Sequence, residues 1–265
     1  MSSEEGSQGS QGSQAGAVRR VALVTGGSRG IGAACALLAA RRGYAVALSY
    51  RDNRAAADAV VRSIAQAGGL AIAIRADVAS EADVIAMFGT VDRELGRVTA
   101  LVNNAGIVAP ARRVDQYELG RLQRVFATNV IGSFLCAREA IRRMSTRHGG
   151  GGGAIVNMSS AAARLGAPNE YVDYAASKGA IDTMTIGLAK EVAAEGIRVN
   201  AIRPGLILTD IHAGSGEPGR VERLRETVPM RRGGTPEEVA NAVLWLLSDE
   251  ASYLTGAVID VGGGR

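Results

Sequence analysis

The segment VALVTGGSRGIGAACALLAARRG, residues 21–43, joins a short β-rich apolar run through a glycine turn to an alanine- and leucine-rich stretch of helical character. Outward from it the same alternation repeats. The apolar runs AVALSY (45–50), LAIAIR (70–75), TALVNNA (99–105), AIVNMSS (154–160), IRVNAIR (197–203) and AVIDV (257–261) are separated by longer stretches that read as helices. Those helices run to Arg42, from Asn53, from near Glu81 to Leu95, from about Gln116, from about Tyr171 to Ala194, and from Pro236. Strands that are apolar at every position have no face to turn to water, so they predict a parallel sheet covered on both sides. The expectation is an α/β fold, a single doubly wound Rossmann-like domain over residues 18–265 with a mostly parallel sheet of about seven strands.

Composition narrows the classes of function. With 265 residues, 47% of them apolar and 21% charged, the chain can bury one substantial core. The net charge of +4 comes from scattered arginines, and aromatics make up only 4%, so nucleic-acid binding is not expected. Cys35 and Cys136 lack CxxC or histidine spacing and read as buried reduced thiols, with no disulfide and no metal site. Neither a signal peptide nor an apolar run of membrane-spanning length is legible, which predicts a soluble cytoplasmic protein without a membrane partner. Residues 1–17 form a Gly/Ser/Gln tract with almost nothing to bury and read as a disordered tail. The run HGGGGGA at 148–154 reads as a flexible surface loop between a helix and a strand.

On the first strand-to-helix turn, Gly26, Gly30 and Gly32 fall in the spacing TGxxxGxG, with Ser28, Arg29 and Ile31 between them. Glycine there lets a pyrophosphate approach backbone N–H groups at a helix N-terminus, although a tight turn alone would also use it. The cofactor type turns on what ends the second strand. Tyr50 and Arg51 follow AVALS, and Arg51 with Arg29 can converge on a 2′-phosphate, which favours NADP(H). Asp52, twenty residues after Gly32, argues for NAD(H) instead. Asp77 and Val78 follow the third strand, where the carboxylate can accept a bond from an adenine amino group or cap the next helix. Asn104, Ala105 and Gly106 follow the fourth strand and either line the cofactor or make a structural turn.

Helical periodicity in YVDYAASKGAIDTMTIGLAKEVA puts Tyr174 and Lys178 on one face, four residues apart. Lys178 is one of only two lysines in the chain, the other being Lys190. A tyrosine is a poor acid or base at neutral pH, and an adjacent ammonium lowers its pKa by stabilising the phenolate. The pair therefore suits proton transfer to a carbonyl. Ser159 and Ser160 end the strand AIVNMSS, where open α/β sheets place their ligand crevices.

Taken together, TGGSRGIG, Asp77, NNAG, Asn129, the AIVNMSS serine, Tyr174-x-x-x-Lys178 and Pro204-Gly205 occur in the order that resembles the short-chain dehydrogenases/reductases, across about Val18 to Gly263. The resemblance implies a catalytic tetrad of Asn129, Ser160, Tyr174 and Lys178. Ser160 would hold the substrate oxygen, Tyr174 would transfer its proton, Lys178 would bind the ribose and lower the tyrosine pKa, and Asn129 would support a water-linked relay. It also implies that Pro204, Gly205 and Thr209 lie against the nicotinamide. The expected activity is NADP(H)-dependent hydride transfer between the nicotinamide and a carbonyl or secondary alcohol of a small molecule. A catalytically silent nucleotide-sensing or scaffold protein, or a cofactor-using dehydratase or epimerase, is the alternative.

One departure concerns the serine. The Ser160-to-Tyr174 stretch is one residue longer than the family's commonest form, and an insertion near Pro168-Asn169-Glu170 keeps Ser160 in place, with Ser159 as the fallback. Tyr171 competes as the tyrosine but has Ala175, not lysine, four residues on. Residues 206–232 correspond to the variable substrate loop, in which His212 reads as an exposed residue without a catalytic role. The closing SYLTGAVIDVGGG resembles the family's C-terminal strand and predicts a homodimer or homotetramer.

Overall fold

The computed structural model describes residues 20–209 and 216–265, so the tail at 1–17 and His212 lie outside the described residues. Seven strands form one sheet in the order β3-β2-β1-β4-β5-β6-β7, every pair parallel. They are β1 (Val21–Val24), β2 (Ala45–Tyr50), β3 (Ala71–Arg75), β4 (Ala100–Asn103), β5 (Gly153–Met158), β6 (Ile197–Pro204) and β7 (Val258–Val261). The expected doubly wound sheet is therefore present. Alternate residues of each strand feed opposite cores, as period-two geometry requires. Ala22, Val24, Val46 and Leu48 pack on one face with α1 (Gly30–Arg41) and α9 (Pro236–Leu247). Val21, Leu23, Ala47 and Ile155 pack on the other with α3 (Glu81–Glu94) and α5 (Gly132–Met144).

The remaining helices are α2 (Arg54–Gln66), α4 (Leu119–Phe126), α6 (Ala162–Leu165), α7 (Val172–Val192) and α8 (Arg220–Leu224). Their starts follow local chemistry. Asn53 accepts a bond from the Ala56 N–H at the head of α2, and Thr235 with Glu238 closes a capping box around Pro236 at the head of α9. The long helix expected from Gln116 is interrupted. A 3₁₀ turn at Val114–Gln116 precedes α4, and a π-turn at Ala127–Ile131 separates α4 from α5. Periodicity does not reveal this π-turn, because the residues that it buries, Thr128 and Asn129, are polar and carry no apolar signal.

The glycine run overturns the expectation of a loose loop. Gly150 and Gly152 donate to the carbonyls of Ser145 and Met144, Gly153 donates to Gly196, and Arg97 bonds the Gly149 carbonyl. A Cβ on Gly150 would lie 2.3 Å from the carbonyl oxygens of both Arg143 and Met144, and one on Gly152 would lie 2.6 Å from that of Gly196. These glycines let the chain turn against backbone before entering β5. Gly149 and Gly151 face open space, and of these two only Gly149 takes positive φ. Gly150→Ala is accordingly expected to lower the urea unfolding free energy by about 1–3 kcal/mol, and Gly151→Ala to stay within about 0.5 kcal/mol of the parent.

Candidate active site

A cleft of about 800 Å³ crosses the carboxyl ends of the strands. It runs from Arg51 and Asp77 past the glycine turn to Ser160 and Tyr174. Strand order reverses between β1 and β4, which opens a crevice there. Gly26, Ser28, Arg29, Gly30, Ile31, Gly32, Tyr50, Arg51, Asp77, Val78, Asn104, Ala105, Gly106, Pro204, Gly205 and Thr209 all border it, as do Ser160, Tyr174 and Lys178. Asn129 does not; it is fully buried behind the wall.

The turn itself is shaped for a group that needs close backbone approach. Gly26 (φ +63°) and Gly30 (φ +52°) adopt left-handed backbone. A Cβ on Gly26 would press on Ala105 Cα at 3.1 Å, and one on Gly32 would lie 2.3 Å from the Gly26 carbonyl oxygen and 2.6 Å from Asn104 Nδ2. Helix α1 then begins with no side-chain cap and no acidic residue in its first turn, so its N–H groups and dipole remain uncompensated by the protein. A nucleotide pyrophosphate fits that cradle.

Two residues that the sequence did not single out hold the turn in place. Thr25 is fully buried, and its hydroxyl accepts from the Asn104 and Ala105 N–H groups at 2.9 and 3.0 Å. The Ser49 hydroxyl accepts from the Gly26 N–H at 3.2 Å. Thr25 sits between strand and glycines, and Ser49 is the one polar position within AVALS, so both could have been suspected from position. Asn104 Nδ2 donates to the carbonyls of Thr25 and Gly26, making NNAG a strut for the turn as well as cleft lining.

At the adenosine end, Arg51 and Asp52 are paired at 2.7 Å with side chains 54% and 69% exposed. The residue that favours NADP thus holds the one that favours NAD. Asp77 does not cap the following helix: Ser80 does, accepting from the Asp83 N–H, while Asp77 Oδ1 accepts from the Ala79 N–H. The cap falls three residues later because Asp77 is taken up in its own tight turn.

The chemistry-bearing residues meet at the other end. The Tyr174 side chain hydrogen-bonds with Ser160, whose Oγ also accepts from the Ala162 N–H at 3.1 Å. Ser159 points away, donating to the Lys178 carbonyl at 3.1 Å. Between Ser160 and Tyr174 the chain turns sharply, with Gly166, Ala167 and Asn169 all at positive φ. Tyr171 lies at the head of α7 with its ring under the Arg220 guanidinium, 5.1 Å away.

Lys178 Nζ sits 5.6 Å from the centre of the Tyr174 ring and donates to the Met158 carbonyl at 2.7 Å. Burial lowers the lysine pKa to about 8, with Asp182 opposing. Burial also pushes the Tyr174 hydroxyl up, opposed by the Ser160 bond, so the lowering expected from the lysine is not seen in the protein alone. In the protein alone the phenol is held protonated. Asn129 belongs to the π-turn. Its side chain takes both the N–H and the C=O of Ile107, at 2.8 and 2.9 Å, and donates to Ser177 Oγ, which donates to the Tyr174 carbonyl.

Comparisons with known proteins agree with this geometry. Residues 26–265 match a family model described as enoyl-(acyl carrier protein) reductase. The chain is 58% identical over 245 residues to an uncharacterized oxidoreductase, YgfF, of Escherichia coli (strain K12), covering 92% of this chain and 99% of that protein. It is 37% identical to glucose 1-dehydrogenase 2 of Bacillus subtilis (strain 168) across 92% and 94% of the two chains. A short-chain type dehydrogenase/reductase from Mycobacterium marinum superposes with a TM-score of 0.87 at 36% identity, over 92% of this chain and 94% of the other. Fold, cleft and relatives define a Rossmann-like oxidoreductase. The chain belongs to the short-chain dehydrogenase/reductase family. Among the described residues no helix is long and apolar enough to cross a membrane.

The buried lysine has a measurable consequence. Its folded pKa lies below the unfolded value of 10.5, so between pH 8 and 10.5 the unfolded chain binds more protons and stability rises with pH. Lys178→Met should therefore stabilise the cofactor-free protein at pH 7, by about 1–2 kcal/mol after the lost Met158 bond is counted. That advantage should shrink between pH 8 and 10.5 in thermal unfolding.

Proposed function

We propose that this protein is an NADPH-dependent oxidoreductase that interconverts a carbonyl and a secondary alcohol of a small molecule. The observation that carries the reading is the meeting of the Ser160 and Tyr174 hydroxyls in the cleft, above the buried Lys178. Gly26, Gly30 and Gly32 would receive the pyrophosphate, Asp77 and Val78 the adenine, Lys178 the ribose, and Pro204, Gly205 and Thr209 the nicotinamide. When bound, NADPH supplies the hydride that the protein cannot.

The protein's part is binding, orientation and proton transfer. Ser160 Oγ holds the substrate oxygen, and Tyr174, kept protonated by its burial, gives up its hydroxyl proton as negative charge develops there. The Lys178 ammonium is the charge placed to stabilise the phenolate that this leaves. Through Ser177, Asn129 links the Tyr174 backbone to the Ile107 segment and supports the site from behind.

The preference for NADPH rests on Arg51 and Arg29. An exposed pair such as Arg51–Asp52 is worth at most about 1 kcal/mol, so the Arg51 guanidinium could exchange Asp52 for a 2′-phosphate of nearly two negative charges when the cofactor is bound. Arg75 donates to the Arg51 carbonyl at 3.3 Å and stiffens the same corner. Arg51→Ala is expected to weaken NADPH binding about 10- to 100-fold, a charge-assisted bond being worth about 1.5–3 kcal/mol, and to leave NADH within about twofold. Equal loss for both cofactors removes the argument for the phosphate.

Tyr174→Phe tests the chemistry. Against a panel of aldehydes and ketones its kcat should fall about 10²- to 10⁴-fold, with NADPH affinity kept within about threefold. If the wild-type protein binds NADPH yet turns over no carbonyl or alcohol, the enzyme reading fails. Product formed without net change in NADPH would point to the dehydratase or epimerase class.

A further inference from the structure

The head of α7 poses a capping problem. Its first turn carries Tyr174, yet the preceding Tyr171 makes no side-chain cap bond. The free N–H groups are instead met by Tyr117 from a neighbouring segment and by Asp173 of the turn itself. Val172 N–H donates to the Tyr117 hydroxyl at 3.1 Å, and Tyr174 N–H donates to the Asp173 carboxylate. That carboxylate is gripped by Arg121 through two bonds, Nε to Oδ2 at 2.7 Å and a terminal nitrogen to Oδ1 at 3.1 Å. Tyr117 also donates to Oδ1 at 3.2 Å, and the guanidinium lies over its ring at 4.1 Å. The last arm of Arg121 donates to the Pro110 carbonyl at 2.5 Å.

The ion pair is dry, with the Arg121 and Asp173 side chains 7% and 1% exposed. Burying two charges costs desolvation that their attraction does not fully return, and an apolar pair of similar volume is commonly as stable. What the fork does supply is fixed distance and direction. Segment 107–110 is held by the Asn129 side chain at Ile107 and by Arg121 at Pro110, so the π-turn, α4 and the first turn of α7 are joined through it.

We propose that Arg121, Asp173 and Tyr117 are positioning residues for the reaction: they cap the first turn of α7 and so fix the Tyr174 hydroxyl against Ser160. This rests on Tyr174 being the proton donor. The double variant Arg121→Met/Asp173→Leu removes both charges together. It should melt within a few degrees of wild type and bind NADPH within about twofold, but lose kcat by 10-fold or more. A merely structural pair predicts the opposite, and kcat within twofold of wild type overturns the proposal. Should the double variant not fold, Tyr117→Phe decides. It keeps the ring but removes the acceptor of the Val172 N–H, and is expected to lower kcat about 3- to 10-fold with the melting temperature down by no more than a few degrees. An unchanged kcat there overturns the proposal equally.

A readout independent of turnover is the ultraviolet difference titration of the Tyr174 phenolate, taken against Tyr174→Phe in each background. A loosened first turn moves the phenol relative to Ser160 and shifts its pKa from the wild-type value. An identical titration in wild type and Tyr117→Phe sinks the positioning role even if no substrate is found, whereas failure of the carbonyl panel alone sinks only the reaction.

Discussion

Gly32 cannot carry a side chain, and much of the molecule is arranged around that fact. Its Cα faces the Gly26 carbonyl and the Asn104 amide so closely that helix α1 starts directly against the ends of β1 and β4. Those two strands are the neighbours between which the sheet changes direction of growth. The contact keeps the crevice between them open and aims the α1 N-terminus into it. Thr25 and Ser49, buried at the same corner, satisfy the backbone groups that the turn leaves over.

At the far end of the cleft the governing quantity is desolvation. Lys178 loses much of its hold on a proton, the Tyr174 phenol keeps its own, and Cys35 and Cys136 on the two faces of the sheet are pushed up to about 12 and stay thiols. The same dry surroundings make the Arg121–Asp173 fork costly and its geometry rigid. A site that needs a hydroxyl placed to within a fraction of an ångström gains from that rigidity.

Where the chain had to bend, the sequence was least transparent. The π-turn at Ala127–Ile131 buries the polar residues Thr128 and Asn129, so no apolar period marks it, and it carries Asn129 behind the cleft wall rather than into it. The glycines at 149–153 have the composition of a loose linker, yet Gly150 and Gly152 are held against the backbone of Arg143, Met144 and Gly196. Composition reports what a segment can do without constraint, and only the neighbouring backbone shows that the constraint exists. Asp77 illustrates the same limit on a smaller scale, since an Asx turn and a helix cap use the same residue type and differ by where the next helix starts.

By itself the sequence determined the period and order of the elements, and with them the parallel sheet, the glycine turn and the pairing of Tyr174 with Lys178 on one helix, because each follows from spacing along the chain. Tertiary structure turned the Ser160 hydroxyl toward Tyr174 and the Ser159 hydroxyl toward the Lys178 carbonyl at the end of β5. It also set Arg51 against Asp52 and brought Tyr117, Arg121 and Asp173 together at the helix turn that carries Tyr174. Those outcomes depend on side-chain direction, on burial and, for Arg121 and Asp173, on a contact between residues more than fifty positions apart. None of these is encoded in any local pattern.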